Sequence, residues 1–179
     1  PMAFLSVDTY RAEVAEQAMQ AGADIINDIS GGEADEAILK VAVRHRAPYI
    51  CMHKKGSPKD MQINPTYEDV SLEVLSYFEK KVQQYRDLGL HDVLLDVGFG
   101  FGKTLEHNYQ LLRQLHLFSS MNLPLLVGLS RKSMICKVLQ CSPEQALNGT
   151  TALHMLALQQ GANILRVHDV KEAVECIEL

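Results

Sequence analysis

The sequence has no surplus of positive charge: 17 Lys and Arg stand against 22 Asp and Glu, a formal net charge of −5. No global field exists to gather nucleic acid or an anionic membrane, so any phosphate pocket must be assembled locally. Cysteine is scarce, with only Cys51, Cys136, Cys141 and Cys176, no CxxC pair and no histidines at zinc spacing. That pattern reads as reduced thiols, with a cytoplasmic location as the expectation. No run of eighteen apolar residues occurs, and the opening PMAFLSVDTY carries no basic leader, so neither a membrane span nor a signal peptide is expected. Proline (6) and glycine (11) are too few for collagen or low-complexity chain, and no heptad pattern supports a coiled coil. What remains, with 47% hydrophobic and 22% charged residues over 179 positions, is the composition of one globular domain. A chain of this size buries about 70% of the surface its unfolded form exposes, enough for a core without staples.

Short apolar, β-branched runs alternate with stretches of helical period, six times over. Strands are expected at 4–7, 24–29, 48–52, 92–97, 124–128 and 163–167. Helices are expected at 11–20, 34–44, 66–88, 105–115, a broken stretch 132–160, and 171–177. Ala21-Gly22-Ala23, Leu88-Gly89-Leu90 and Gln160-Gly161-Ala162 place a glycine where three of these helices must stop. Ser142, Pro143 and Gln145 spell a capping box. Such alternation makes a parallel α/β sheet and leaves two architectures open, an open doubly wound sheet or part of a (β/α)8 barrel of roughly 250 residues.

Each apolar run ends in a polar residue: Asp8, Asn27-Asp28, His53, Asp96, Ser130-Arg131-Lys132, and Arg166 with His168. In a parallel α/β protein these ends share the ligand-binding face, although any one of them taken singly is equally an N-cap for the next helix. Asp8 and Asp96 follow hydrophobic runs and are expected to be partly desolvated carboxylates in need of donors, such as the N–H groups of a heterocycle. Asn27 both donates and accepts, which suits an amide-like edge; its competing role is a turn. Arg131, Lys132 and Arg166 bring positive charge to the same face, and His168 either donates to an anion or packs.

The segment Asp96-Val97-Gly98-Phe99-Gly100-Phe101-Gly102-Lys103-Thr104 is neither a P-loop, for want of one residue between its glycines, nor GxGxxG in any frame. Its alternating glycines describe a backbone that turns tightly and is closely approached. Either one of Phe99 and Phe101 lines a pocket for a flat ligand, or both pack beneath the loop.

Six segments, SVDTY (6–10), INDISGG (26–32), CMHKKGSP (51–58), DVGFGFGKT (96–104), GLSRKSM (128–134) and LRVHDV (165–170), resemble in order and spacing the signatures of the dihydropteroate synthase family. The resemblance implies a TIM barrel that joins p-aminobenzoate to 6-hydroxymethyl-7,8-dihydropterin diphosphate in folate biosynthesis, with sulfonamides as competitors. It places Asp8, Asn27, Asp96 and Lys132 against the pterin, with Ile29 and Met52 sandwiching its ring. Phe101, Ser130 and Lys132 fall near p-aminobenzoate, and Arg166 and His168 on the diphosphate. It also implies Mg2+ as cofactor and a homodimer. Two departures are Val97, where the family usually has proline, and Lys54, where it often has methionine. The family's first two βα units, whose asparagine is the Mg2+ ligand, have no counterpart here. Residues 1–179 are therefore expected to form the later three-quarters of the barrel, with no metal ligand of their own. Two other readings share the site: a corrinoid-dependent pterin methyltransferase, against which SRKS and RVHDV argue, and a pterin-binding module without catalysis.

Overall fold

The structure, a computed structural model, describes residues 3–56, 61 and 63–179, and Ser57 and Pro58 of the CMHKKGSP segment lie outside the described residues. Strands β1 (Ser6–Asp8), β2 (Ile25–Asp28), β3 (Tyr49–Met52), β4 (Val93–Asp96), β5 (Leu125–Val127) and β6 (Ile164–Leu165) form one sheet. They alternate with α1 (Ala12–Gln20), α2 (Ala37–His45), α3 (Val70–Asp87), α4 (Leu105–Arg113), α5 (Ser133–Leu139), α6 (Leu147–Gln159) and α7 (Val170–Glu178). All pairings are parallel, and spatial order follows chain order from β1 to β6. A doubly wound sheet must reverse its order at a switch point. Here nothing reverses, so crossovers of one hand carry every helix to one side and the sheet curls as a barrel wall does. The open-sheet alternative is thereby excluded.

Register then assigns each strand residue a face. Asp8 pairs with Asn27, Asn27 with Ile50, Met52 with Asp96, and Asp96 with Leu126, which puts this set on the concave side. Ile26, Asp28, Tyr49, Cys51, Leu95 and Val127 take the convex side, fully buried beneath helix residues such as Ile38, Leu39, Val74, Phe78 and Leu111. The core therefore lies between sheet and helices.

Local chemistry sets the element ends. Asp69 caps α3 by accepting from the Ser71 and Leu72 N–H groups at 2.9 and 3.0 Å, so this helix starts at Val70 rather than at 66. Thr104 and His107 cap α4 reciprocally, each backbone N–H donating to the other's side chain at 3.2 Å. Gly22, Gly89 and Gly161 all stop their helices with positive φ, as expected. The stretch 132–160 resolves into α5, a 3-10 turn Pro143–Gln145 and α6; the Ser142 N–H donates to Gln145 Oε1 at 3.2 Å and so opens that turn rather than a long helix. β6 is shorter than expected, which leaves Arg166 and His168 in the connection that follows it. β1 is an edge, with Phe4 and Leu5 exposed.

Behind the sheet, a polar cluster holds the connection after β2. The fully buried Asp28 carboxylate accepts from Ser30 N–H (2.7 Å), Gly32 N–H (2.8 Å) and the Tyr49 hydroxyl (2.7 Å). Tyr85 donates to the Gly31 carbonyl at 2.8 Å, and Lys81 donates to it at 3.1 Å. Asp28 is thus structural, while its neighbour Asn27 faces the concave side. Replacing Asp28 with alanine strands three donors in the interior, and urea unfolding is expected to show a loss of roughly 2–4 kcal/mol; a loss below about 0.5 kcal/mol, the scale of an ordinary surface change, would show that the cluster does not hold this connection.

Candidate active site

Met52 and Asp96 at the ends of β3 and β4, Phe101 from the glycine segment, Gly128, Ser130 and Lys132 after β5, and Arg166 to His168 after β6 line a cavity of about 290 Å³. It sits at the carboxyl ends of the strands, where α/β barrels place their ligands. Asp96 accepts the Gly98 N–H at 2.8 Å through Oδ1, and its other oxygen takes no hydrogen bond from the described residues. Burial pushes this carboxyl above the usual carboxylate range, against the pull of the Gly98 N–H and the charges of Lys132, Lys103 and Arg166. Lys132 donates to the Phe99 carbonyl, and its ammonium lies 4.7 Å from the centroid of the Phe101 ring. Burial lowers its pKa, and the Asp96 charge resists that shift.

The glycine segment takes its shape from a backbone contact. Gly98 has φ +67°, and a Cβ there would lie 2.0 Å from the His53 carbonyl oxygen; at Gly102, φ +65°, the distance to the Lys55 carbonyl would be 2.1 Å. Phe99 is buried beneath the segment, whereas Phe101 is partly exposed on the cavity, so one ring lines it and one packs. Ser130 Oγ accepts the His168 N–H at 3.2 Å and lies 2.9 Å from His168 Nδ1, which leaves His168 Nε2 without a partner among the described residues.

Arg166 donates to Asp8 at 2.7 Å. Asp8 is partly desolvated, its side chain 47% exposed, and so is far less buried than Asp96. Asn27 lies beside Asp8 on the concave face, buried, and its amide has no hydrogen bond among the described residues. Ile29 follows it, half-buried. These three stand next to the cavity rather than in its lining. Arg131 departs from expectation: with φ +55° its guanidinium turns away from the cavity and grips both oxygens of Asp169 at 2.9 and 2.5 Å. His53 points to Lys103 instead of the cavity, at 3.0 Å. Lys103 itself was missed; a lysine inside an apolar, glycine-rich segment was the available signal.

A model of the pterin binding enzyme family matches residues 2–168. The chain belongs to that family. Among family members, the Escherichia coli K12 protein named dihydropteroate synthase is 46% identical over 178 residues, 98% of this chain and 63% of that protein. A Synechocystis protein of the same name is 48% identical over 170 residues, 93% of this chain and 59% of its own length. The chain thus spans somewhat less than two thirds of these relatives. A Yersinia pestis dihydropteroate synthase structure described as a sulfonamide drug complex superposes with a TM-score of 0.96 at 42% identity, covering 99% of this chain and 65% of that one. The six strands are accordingly part of a TIM-barrel wall. No helix of the described residues is long and apolar enough to cross a membrane.

A carboxyl whose folded pKa lies above its unfolded value contributes stability below that unfolded value and loses it as pH rises through the folded one. At pH above the ordinary carboxylate range the buried Asp96 is therefore a cost to the unliganded chain. Asp96→Asn, which keeps an acceptor for Gly98, is expected to raise stability by on the order of 1 kcal/mol at pH 7 and to remove that advantage below pH 4. Thermal unfolding at the two pH values checks this, and equal shifts at both would show that ionisation is not the cause.

Proposed function

We propose that this chain forms the substrate-holding wall of a dihydropteroate synthase, in which the amine of p-aminobenzoate displaces diphosphate from the methylene of a 6-hydroxymethyl-7,8-dihydropterin diphosphate. The observation that carries the reading is the pairing, within one 290 Å³ cavity, of a buried carboxylate with an unused oxygen and a lysine laid over an aromatic ring. A pterin edge presents ring N–H and amino groups for Asp96 to accept and a carbonyl for Lys132 to donate to. Asn27 extends the same edge with its uncommitted amide. Met52 and Ile29 offer apolar contact to the flat faces.

In the reaction the amine nitrogen forms a bond to the methylene carbon, the carbon–oxygen bond breaks, diphosphate departs with the electron pair, and the amine loses a proton. The ring shares the positive charge that builds on carbon, so the protein needs no nucleophile. It needs anion donors for the leaving group and carboxylates near the pterin. Arg166 and the free Nε2 of His168 supply the first, with Ser130 holding the imidazole; Asp8 and Asp96 supply the second. Phe101, Ser130 and Lys132 form the side on which p-aminobenzoate, and sulfonamides in competition with it, would lie. Mg2+ belongs to the same reading, taking phosphate oxygens of the diphosphate and water with one or two protein ligands. A homodimer and a cytoplasmic location belong to the same reading.

The full-length protein is expected to form dihydropteroate from these two substrates, and absence of product would refute the activity. Arg166→Lys keeps the charge but loses the planar fork that matches phosphate oxygens. Its kcat/KM for the diphosphate substrate is expected to fall about 10- to 100-fold, which corresponds to roughly 1.4–2.7 kcal/mol. An unchanged value would move the leaving-group role elsewhere. Asp96→Asn is expected to abolish pterin binding in calorimetry, because the amide would turn a donor toward N–H groups that need an acceptor.

A further inference from the structure

Lys103 has no part in the chemistry above, yet it is 3% exposed and fully engaged. Its ammonium lies 3.0 Å from each of three acceptors: His53 Nδ1, the Gly98 carbonyl and the Phe101 carbonyl. The His53 carbonyl is further off, at 3.4 Å. An ammonium meets all three with its protons when His53 Nδ1 is unprotonated, whereas a neutral amine would donate to the two carbonyls and accept from Nδ1–H. With Lys103 charged, His53 Nδ1 is the acceptor and the imidazole proton sits on Nε2. Burial holds the His53 pKa down to about 2, helped by the Lys103 and Lys55 charges, so the ring is neutral. It stands edge-on to Tyr77, with centroids 4.9 Å apart.

The three acceptors belong to two different connections. His53 follows β3, whereas Gly98 and Phe101 belong to the glycine segment after β4. Lys103 clamps these connections where Gly98 already touches the His53 backbone. The Phe101 carbonyl it grips orients the peptide that carries the cavity-lining ring. The neighbouring Phe99 carbonyl is the acceptor that holds Lys132.

We propose that Lys103 is a positioning residue: by holding the glycine segment against the end of β3, its ammonium fixes the Phe101 ring and the Lys132 head that lies over it, and so shapes the p-aminobenzoate side of the site without touching substrate. This rests on the reading that p-aminobenzoate lies on that side.

Charge state gives the clamp a signature. Burial lowers the Lys103 pKa to about 7, with Asp96 opposing the shift and Lys132 adding to it. Loss of the proton turns the charge-assisted bonds to the Gly98 and Phe101 carbonyls into weaker neutral ones and reverses the contact with His53 Nδ1, so the segment loosens above neutral pH. Global stability moves the other way. Because the folded value lies below the ordinary 10.5, the unfolded chain binds the proton more tightly between about 7 and 10.5, and stability rises with pH across that window. A local loosening is therefore separable from general unfolding.

The experiment uses the full-length protein with Lys103→Met and Lys103→Ala. It measures the affinity for a pterin analogue by calorimetry, steady-state kinetics in p-aminobenzoate, and amide exchange at Gly100 and Phe101. Pterin affinity is expected to fall less, by no more than about fivefold, since Asp96 loses one of three nearby positive charges but keeps the Gly98 N–H and the Lys132 charge, and Asn27 makes no contact with Lys103. kcat/KM for p-aminobenzoate should fall about 10- to 100-fold, mostly through KM, as expected for a misplaced subsite. Exchange at the two amides should accelerate while β3 and β4 stay protected, and ammonium ions should restore part of the loss in Lys103→Ala but not in Lys103→Met. An unchanged KM, or parallel loss of pterin and p-aminobenzoate affinity, would overturn the proposal. Should neither variant fold, the wild type decides: exchange at Gly100 and Phe101 that stays flat, after correction for intrinsic rate, between about pH 6 and 9 also overturns it. Failure of the wild type to make dihydropteroate would instead strike the activity, and the amide exchange would still judge the clamp.

Discussion

The in-register parallel pairing from β1 to β6 is the constraint from which the site follows. Side chains alternate across a strand, so once Asn27 pairs with Ile50 and Met52 with Asp96, every second residue is committed to the concave side. The other set, from Ile26 to Val127, is sealed under the helices. A slip of one residue in any strand would carry its polar end into the apolar layer and its apolar residue into the cavity. The convex cluster around Asp28 works against such a slip in β2: its three donors hold the chain immediately after Asn27, and the Tyr85 hydroxyl holds the Gly31 carbonyl.

A buried ammonium, Lys103, a half-buried one, Lys132, and the buried carboxylate of Asp96 crowd the ends of β4 and β5. Their shifts oppose one another: burial pushes Asp96 up and both lysines down, while the attraction between Asp96 and the lysines works in the other direction. Each charge is tolerable because the others are present and because backbone groups complete its hydrogen bonds. The arrangement leaves one oxygen of Asp96 unused on the cavity side. An unsatisfied carboxylate oxygen held in a low-dielectric cavity costs the empty protein stability and strengthens recognition of a ligand that brings N–H groups, which is the usual exchange between stability and function at a site.

The fold was legible because its signal repeats. Six apolar runs and three glycine stops each reported the same unit, and the polar strand ends fell on one face as parallel topology requires. Choosing between barrel and open sheet from the residues alone was not possible, since that depends on strand order, which only the pairing reveals. At the site, Asp96, Lys132, Ser130 and His168 were found because strand ends carry them. Arg131 was misplaced since nothing local announces that a left-handed backbone turns its fork toward Asp169, 38 residues away. Lys103 was passed over for a related reason: its three partners come from two connections, and His53 lies 50 residues earlier in the chain.

Asp8 shows how burial, rather than residue type, decides the worth of a charge pair. The Asp8–Arg166 bridge links the first strand to the last described one at 2.7 Å, yet both side chains are about half exposed. A pair so hydrated contributes about 0–1 kcal/mol, so it does little to hold the curled sheet together. The same weakness suits the role proposed for Arg166, in which its guanidinium exchanges a carboxylate for phosphate oxygens. A pair as tight as Arg131 with Asp169, whose fork is engaged at two oxygens, would resist that exchange. The two arginines are thus separated in role by the solvent around their partners: one is bound into the scaffold, and the other is left able to change hands.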